Sequence, residues 1–347
     1  MKKRILCILS VILTVFSVSA FPVSGNALSI SAKAGVLLDV QTGKILFEQS
    51  SREILPMAST TKVMTALLTL EYIEIFGDKT VIVTDEMCKV EGSSMGLKTG
   101  DQIQLSDLAV GMLLPSGNDA ANAAALYISK SFKRFADCMN LKAQEIGMTD
   151  THFVTPSGLD DPEHYTTAYD MAILTAAALE NEKFAEIFSA KTVEIHYNGG
   201  KTPASFSNHN KLLGLYENCI GGKTGFTKKS GRCLVSAAKK NGCTLVAVTL
   251  NAPDDWNDHI SLYQYGFFGL KTTSFKECMI KIPDTEGKNL MVRIPPIEKS
   301  HLFGHEIKRQ IFLPKFIYAG AYGKGEVIGK MIYSLQGRII ETVEIQY

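Results

Sequence analysis

Between Met57 and Ile75 the chain has almost no polar stripe: Val63, Met64, Leu67, Leu68 and Leu70 come too close together to leave a solvated face. A helix that is apolar all round must be wrapped on every side by other elements, so this stretch predicts a buried central helix. The flanking sequence supplies the wrapping. Ala34 to Phe47 predicts a hairpin turning at Thr42-Gly43. Leu105 to Tyr127 carries apolar and Ala-rich helical runs broken at Pro115-Ser116-Gly117-Asn118, and Phe132–Ile146 and Ala168–Leu179 predict further helices around an irregular loop from Gly147 to Thr167. From Lys191 the period moves toward that of strands. Gly231–Lys239 and Thr244–Leu250 are arms of a hairpin with a two-residue Asn241-Gly242 turn, and Ile260–Leu270 predicts a closing helix. Strand, helices, then strands returning to one sheet is an α/β arrangement. Beyond Lys271, short runs at Met279, Leu290, Ile311 and Ile328–Ile345, split by Gly and Pro, predict a small all-β domain. The expected division is 28–270 and 271–347.

At 347 residues the chain has room for about two domains. Its 36 basic and 35 acidic residues give a net charge of +1, with no basic excess to grip a polyanion. Met1-Lys2-Lys3-Arg4 followed by uncharged Ile5–Ala20 predicts a secretory signal over residues 1–20, cut after Ala20 or, alternatively, after Ala27. Its removal takes the charge to −2 and leaves six of the seven cysteines. These are scattered through a chain long enough to build its own core, and the Asn-Gly register sets Cys233 opposite Leu250 rather than Cys243. Mostly free, buried thiols are expected. His301 and His305 have helical metal-ligand spacing, but Gly304 argues against a helix. The Asp254–Asp258 cluster predicts a solvated loop rather than a cation site.

Three short motifs carry possible chemistry. Ser59-Thr60-Thr61-Lys62 opens the buried helix, where residues three apart share a face, so the Lys62 amine can reach the Ser59 hydroxyl. Burial disfavours the charged amine and makes it a potential base. An N-capping Ser followed by a solvated Lys would read the same way. A second Ser-x-x-Lys, Ser236–Lys239, falls in a strand, where residues three apart face oppositely, and is discarded. Ser116-Gly117-Asn118 lies in a helix break, where a hydroxyl and an amide can point into one cleft. Pro-Ser-Gly-Asn is also ordinary turn sequence, and Ser24-Gly25-Asn26 repeats the tripeptide. Lys223-Thr224-Gly225 precedes a hairpin arm, where an ammonium and a hydroxyl can receive a carboxylate and Gly admits a close backbone approach. Lys98-Thr99-Gly100 repeats it in what reads as a turn.

Each tripeptide alone is unspecific; their order is not. Ser59-x-x-Lys62, Ser116-x-Asn118 and Lys223-Thr-Gly225 together resemble the penicillin-binding protein and serine β-lactamase superfamily. The flanking Pro56–Ala66, Leu113–Ala121, Met139–Ala143, Gly158-Leu-Asp160, His164–Ala172 and Gly222–Thr227 resemble the low-molecular-mass D-alanyl-D-alanine carboxypeptidases of peptidase family S11. Asn251–His259 is similar to the sporulation-associated members, and Gly323–Gly329 to the family's C-terminal β-domain.

The resemblance implies a penicillin-binding-protein-like transpeptidase fold: an antiparallel sheet flanked by helices, a helical subdomain and a small C-terminal β-domain. It implies Ser59 as nucleophile, Lys62 as base and Ser116 as proton relay. Asn118, Lys223, Thr224, Gly225 and Phe226 would bind substrate, with the N–H groups of Ser59 and Phe226 forming an oxyanion hole. Partners would be peptidoglycan stem peptides ending in D-Ala-D-Ala, with β-lactams as covalent inhibitors, and no metal or organic cofactor. The location would be outside the cytoplasm, at the wall or outer membrane face. Two departures matter. The segment Met331–Ile345 reads as strand, where many relatives carry an amphipathic anchoring helix. No Glu-x-x-Leu-Asn precedes Lys223, which disfavours a class A β-lactamase. A D,D-endopeptidase or transpeptidase would use the same residues, and a non-catalytic wall-binding protein would need no aligned Ser59–Lys62 pair.

Overall fold

Alternating residues in the segments 34–38 and 245–250 bury apolar side chains on both faces, so the sheet they form must be covered twice. The computed structural model describes residues 28–302 and 306–347. The leader expected over residues 1–20, its alternative cut after Ala27, Ser24-Gly25-Asn26 and His305 lie outside the described residues. In β1 (Ala34–Asp39), Ala34, Val36 and Leu38 join one hydrophobic cluster and Leu37 another; β2 (Ile45–Gln49) pairs antiparallel beside it.

The helical part follows. A 3₁₀ turn (Ala58–Thr61) runs into α1 (Lys62–Phe76). The short strands β3 (Thr80–Ile82) and β4 (Gln102–Gln104) pair around the single-turn α2 (Asp85–Cys88). Then come α3 (Leu105–Leu113), α4 (Asn118–Ser129), α5 (Phe132–Ile146), α6 (Ala168–Ala178) and α7 (Glu182–Ser189). A hairpin of β5 (Thr192–Tyr197) and β6 (Thr202–Ser207) and a turn of helix, α8 (Leu212–Leu215), lead to β7 (Cys219–Thr227), β8 (Gly231–Lys240) and β9 (Cys243–Leu250). The central sheet has the order β2-β1-β9-β8-β7, antiparallel throughout. Helix α6 lies against one face and α9 (Asp255–Phe268) against the other. Val246, Val248 and Leu250 of β9 meet the helical side, and Leu245 and Ala247 meet α9, following the two-residue period of a strand.

Helix α1 is wrapped as its composition requires. From Lys62 to Leu70 only Leu68 is even half-buried, and exposure begins in the last turns, at Glu74. Helices α3, α4 and α6 enclose it. The β8–β9 register runs from Lys240↔Cys243 to Leu234↔Thr249, and Asn241 and Gly242 both take positive φ (49° and 84°), the geometry of a tight two-residue hairpin turn. Cys233 and Cys243 are thus far out of register. The six described cysteines are free thiols, yet only Cys233 and Cys243 are buried and Cys138 is exposed, so the expectation of mostly buried thiols fails.

Two expectations are corrected. The closing helix begins at Asp255, not Ile260, and the Asp254–Asp258 cluster is not a solvated loop. Asp255 and Asp258 occupy the first turn of α9, where carboxylates suit the helix dipole. Asp255 accepts from Arg232 at 2.6 Å, and Asp258 accepts from the Ser31 N–H and hydroxyl, both at 2.7 Å. Helix α7 was not foreseen because eight residues carry a weak pattern, though Asn181 caps it by accepting from the Phe184 N–H. His301 stands on a strand, where its Nε2 meets the Thr273 hydroxyl at 2.9 Å.

Past α9 every described element is a strand. β10 (Lys271–Phe275) pairs with β13 (Ile297–His301), and β11 (Cys278–Pro283) with β12 (Asn289–Ile294). β14 (Ile307–Phe312), β15 (Val327–Leu335) and β16 (Arg338–Gln346) form a third sheet. The Ile328–Ile345 run is thus two strands, folded at Gln336-Gly337, where both residues take positive φ. These strands bury their own cluster around Ile282, Ile294, Met331 and Tyr333, separate from those of the central sheet. Among the described residues no helix is long and apolar enough to cross a membrane.

Met64, fully buried in α1, tests the wrapping: Met64→Ala is expected to cost about 2–5 kcal/mol in urea unfolding. Phe268→Ala, at a side chain 93% exposed, should change stability by less than about 0.5 kcal/mol.

Candidate active site

The 3₁₀ turn before α1 is held by its own hydroxyls: Thr60 donates to the Met57 carbonyl at 2.6 Å and Thr61 to that of Ala58 at 2.8 Å. Ala58 takes φ +48°, a left-handed conformation that costs a non-glycine residue energy and persists only where surroundings enforce it. Two glycines do so. A Cβ on Gly158 would lie 2.0 Å from the Ala58 carbonyl oxygen, and one on Gly225 would lie 3.1 Å from both the Ala58 Cβ and the Ser59 nitrogen. The turn carrying Ser59 is wedged between the loop at Gly158 and strand β7.

Ser59 and Lys62 therefore meet differently from the way expected. They do not share an α-helical face; Ser59 is in the 3₁₀ turn, where residues i and i+3 eclipse. The result is a Lys62 Nζ–Ser59 Oγ hydrogen bond of 2.9 Å. Nζ also donates to Asn118 Oδ1 at 2.6 Å and to the Ser157 carbonyl at 2.7 Å. Those two partners only accept, so a neutral amine would keep its two N–H bonds on them and turn its lone pair toward the Ser59 hydroxyl. Burial first, and then the positive charge of Lys223, push the Lys62 pKa well below that of a free lysine, while Asp119 pulls the other way.

The break between α3 and α4 brings up the second motif. Ser116 takes φ +64°, the Gly117 N–H donates to the Gly111 carbonyl at 2.8 Å, and Asn118 begins α4. Strand β7, at the sheet edge, brings up the third. Buried Lys223 donates to Ser116 Oγ at 2.9 Å and to the Thr224 carbonyl at 2.7 Å, and burial lowers its pKa to about 7. Thr224 is half-buried, Gly225 is buried against Ser59, and the Phe226 side chain is exposed. All eight expected residues thus gather where the 3₁₀ turn, the α3–α4 break and β7 meet. The duplicates do not: Ser236 is buried on the far face with His259 and Tyr263, Lys239 is exposed, and Thr99 donates to Asp85 in a turn. Among the described residues no group of three or more His, Cys, Asp or Glu is placed to hold a metal ion.

The model of the D-alanyl-D-alanine carboxypeptidase family, peptidase S11, matches residues 21–254. The chain belongs to that family. It is a serine-type D-alanyl-D-alanine carboxypeptidase and a penicillin-binding protein. It is similar to the D-alanyl-D-alanine carboxypeptidase DacF of Bacillus subtilis, at 29% identity over 97% of this chain and 92% of that protein. The solved penicillin-binding protein 5 of Haemophilus influenzae superposes with TM-score 0.67 and 29% identity, over 92% of this chain and 96% of that one. A solved Streptomyces DD-transpeptidase superposes at TM-score 0.66 and 28% identity, covering 69% of this chain and 98% of its own.

Three parts of this carboxypeptidase's site were not read as functional. The Ser157 carbonyl is backbone and has no side-chain signal. Asp119 follows Asn118 and is buried; it accepts from Ser94 Oγ at 2.6 Å, from the Met95 N–H at 2.9 Å and from the Leu97 N–H at 3.0 Å, pinning that loop beside Asn118. His164 accepts from the Val154 N–H at its Nδ1 (2.9 Å), so its proton sits on Nε2, 2.8 Å from Thr61 Oγ1. Desolvation holds its pKa near 4.

His164 is neutral when folded and takes up a proton near pH 6.5 when unfolded. Its contribution to stability is complete above that pH and is lost as pH falls from about 6.5 to about 4, by about 3 kcal/mol. In His164→Gln, the slope of unfolding free energy against pH in that window should flatten. Part of the slope should remain, because buried His259 is lowered to about 3. Gly158→Ala should slow penicillin acylation at least tenfold, because its Cβ cannot fit without moving Ala58 and the turn that carries Ser59.

Proposed function

We propose that this carboxypeptidase removes the terminal D-alanine from peptidoglycan stem peptides through an acyl-enzyme on Ser59. The observation that carries this reading is the set of three hydrogen-bond partners around the Lys62 amine, two of which can only accept. Lys62, neutral in the free site, takes the Ser59 proton as Oγ attacks the carbonyl between the two D-alanines. The N–H groups of Ser59 and Phe226 stabilise the oxyanion. Ser116 gives its proton to the departing D-alanine amine and takes in exchange the one held by Lys62, and Asn118 orients Lys62 and the substrate amide. Lys223 and Thr224 hold the terminal carboxylate, whose charge favours the protonated form of Lys223. Water then attacks the ester, releasing the shortened peptide and restoring Ser59 and its proton.

The proposal includes export, on the strength of the basic and apolar leader, and a sporulation role, which rests on Asn251–His259. It also takes residues 28–270 as the catalytic domain and 271–347 as a separate β-domain. The separate hydrophobic cluster of the latter supports this division, as does the Streptomyces enzyme, nearly all of which is covered by about two thirds of this chain.

Mass spectrometry of the mature protein with benzylpenicillin should show a long-lived adduct on Ser59, and D-alanine should be released from diacetyl-Lys-D-Ala-D-Ala. Ser59→Ala should abolish both; a retained adduct would overturn the assignment. Rapid turnover of the adduct would favour a β-lactamase, and an adduct without D-alanine release an endopeptidase or transpeptidase. Lys62→Ala should slow acylation by about 10²–10⁴-fold. In the wild type, acylation should fail on the acid side as Lys62 becomes protonated. Removing the Lys223 charge raises the Lys62 pKa, so Lys223→Ala should move that acid limb to higher pH.

A further inference from the structure

Residues 313–326, between β14 and β15, turn two aromatic rings outward and anchor the residue between them. Ile317 is buried; its N–H donates to the Pro283 carbonyl at 3.0 Å, and its carbonyl accepts from the Thr285 N–H at 3.1 Å. Neighbours on an extended segment point to opposite sides, so Phe316 and Tyr318 both face solvent, 51% and 67% exposed, with ring centroids 5.7 Å apart. Ala319, Gly320 and Ala321, which follow, are too small to cover them. Phe312, Val327 and Tyr347 are also exposed and belong to the same end of the sheet. Phe312 ends β14, Val327 begins β15, and the Tyr347 carbonyl accepts from the Gly325 N–H at 2.9 Å while its own N–H donates to the Glu326 carbonyl at 2.8 Å. Exposed Lys315, Lys324 and Lys330 stand among these residues, and an open cleft of about 570 Å³ lies between Phe312, Pro314, Val327 and Lys330.

This end points away from the catalytic domain. The opposite end of the sheet, at the Gln336-Gly337 turn, is the one that meets that domain: a Cβ on Gly43 would lie 3.2 Å from Arg338 Nη1. The nine residues of β15 span about 30 Å between the two ends, at about 3.3 Å each. Charge is divided in the same sense. Residues 271–347 hold 12 basic and 8 acidic side chains, for +4, whereas residues 28–270 hold 21 and 27, for −6. The acidic groups around the exposed rings are engaged within the domain. Glu326 Oε2 accepts from the Gly323 N–H, Asp284 accepts from the N–H groups of its own turn, Glu286 pairs with Lys288, and Glu344 stands opposite Lys330.

A contiguous exposed apolar patch of this kind marks an interaction surface, and its chemistry favours one partner. Phenylalanine and tyrosine rings settle at the headgroup level of a bilayer, tyrosine with its hydroxyl toward water. Lysines on flexible stems neutralise a diffuse negative field rather than orient one small ligand. We propose that this end of the β-domain docks on an anionic lipid bilayer. Phe316 and Tyr318 enter the interface, and Lys315, Lys324 and Lys330 lie over the headgroups. The acidic catalytic domain then stands off the surface at the other end of the sheet. Strand ends and a loop make the contact, a different device from an amphipathic helix lying in the interface. The inference does not depend on which peptide bond Ser59 attacks.

Sedimentation of the mature chain with phosphatidylcholine vesicles, with and without about 30% phosphatidylglycerol, tests the surface. The anionic vesicles should bind at least about tenfold more tightly, and about 0.5 M salt should remove most of that advantage. Phe316→Ser with Tyr318→Ser should weaken binding to anionic vesicles about tenfold or more. Lys315→Glu with Lys324→Glu should bring it to the level of pure phosphatidylcholine. Both variants should keep wild-type circular dichroism and penicillin acylation, which shows that the fold is intact. Ile339→Ser removes a side chain 63% exposed at the opposite end and should bind as wild type does. No preference of the wild type for anionic vesicles, undiminished binding by the serine pair, or an equal loss in Ile339→Ser would overturn the proposal. Self-association that the serine pair abolishes, without vesicle binding, would assign the patch to a second copy of the chain and overturn it as well.

Discussion

An amine buried among three hydrogen-bond partners is the constraint on which this site depends. An ammonium at Lys62 would have to be stripped of water, which costs several kcal/mol unless fully paired. The structure responds in two ways. It surrounds Nζ with Ser59, Asn118 and the Ser157 carbonyl, each from a different part of the chain, and it places Lys223 close enough to disfavour a second positive charge. The consequence is a lysine prepared to act as a base next to a hydroxyl, with its two fixed acceptors deciding where the lone pair points.

Much of the architecture serves to keep that arrangement from relaxing. Helix α1 is buried nearly all round, so its first residue cannot rotate outward to solvent. The turn before it is strained at Ala58, and Gly158 and Gly225 press on it from either side. Asp119 ties the Ser94–Leu97 loop to the start of α4, beside Asn118. His164, kept neutral by burial, links the Ser157 loop to Thr61 of the same turn. None of these residues need touch the reacting atoms; they restrict the ones that do, which is how a site holds its geometry within tenths of an ångström.

What could be read in advance follows a physical division. The strands and long helices were legible because their apolar periodicity is local, as with Phe132–Ile146 and the β8–β9 hairpin with its Asn-Gly turn. The short α7 and the strands β10 and β13 were not, because a few residues of pattern are outweighed by packing. The Asp254–Asp258 cluster was misread because five polar residues resemble a loop until Arg232 and Ser31, distant in sequence, are seen to pair with two of them. The order of the three motifs identified the family, but each motif by itself occurred twice; the strand placement of Ser236–Lys239, the signal-boundary position of Ser24-Gly25-Asn26 and the position of Lys98-Thr99-Gly100 ahead of Ser116-x-Asn118 set the duplicates aside.

By itself, then, the sequence determined the buried central helix, the hairpin register and the ordered Ser59–Lys62, Ser116–Asn118 and Lys223–Gly225 motifs, since these depend on periodicity, turn chemistry and spacing along one segment. Only the tertiary structure decided that Ser59 stands on a 3₁₀ turn and that a backbone carbonyl at Ser157 completes the shell of Lys62. Each of those depends on how closely segments about a hundred or fewer residues apart approach in the folded chain. A carbonyl or a glycine's missing Cβ also looks the same in any sequence until packing gives it a neighbour.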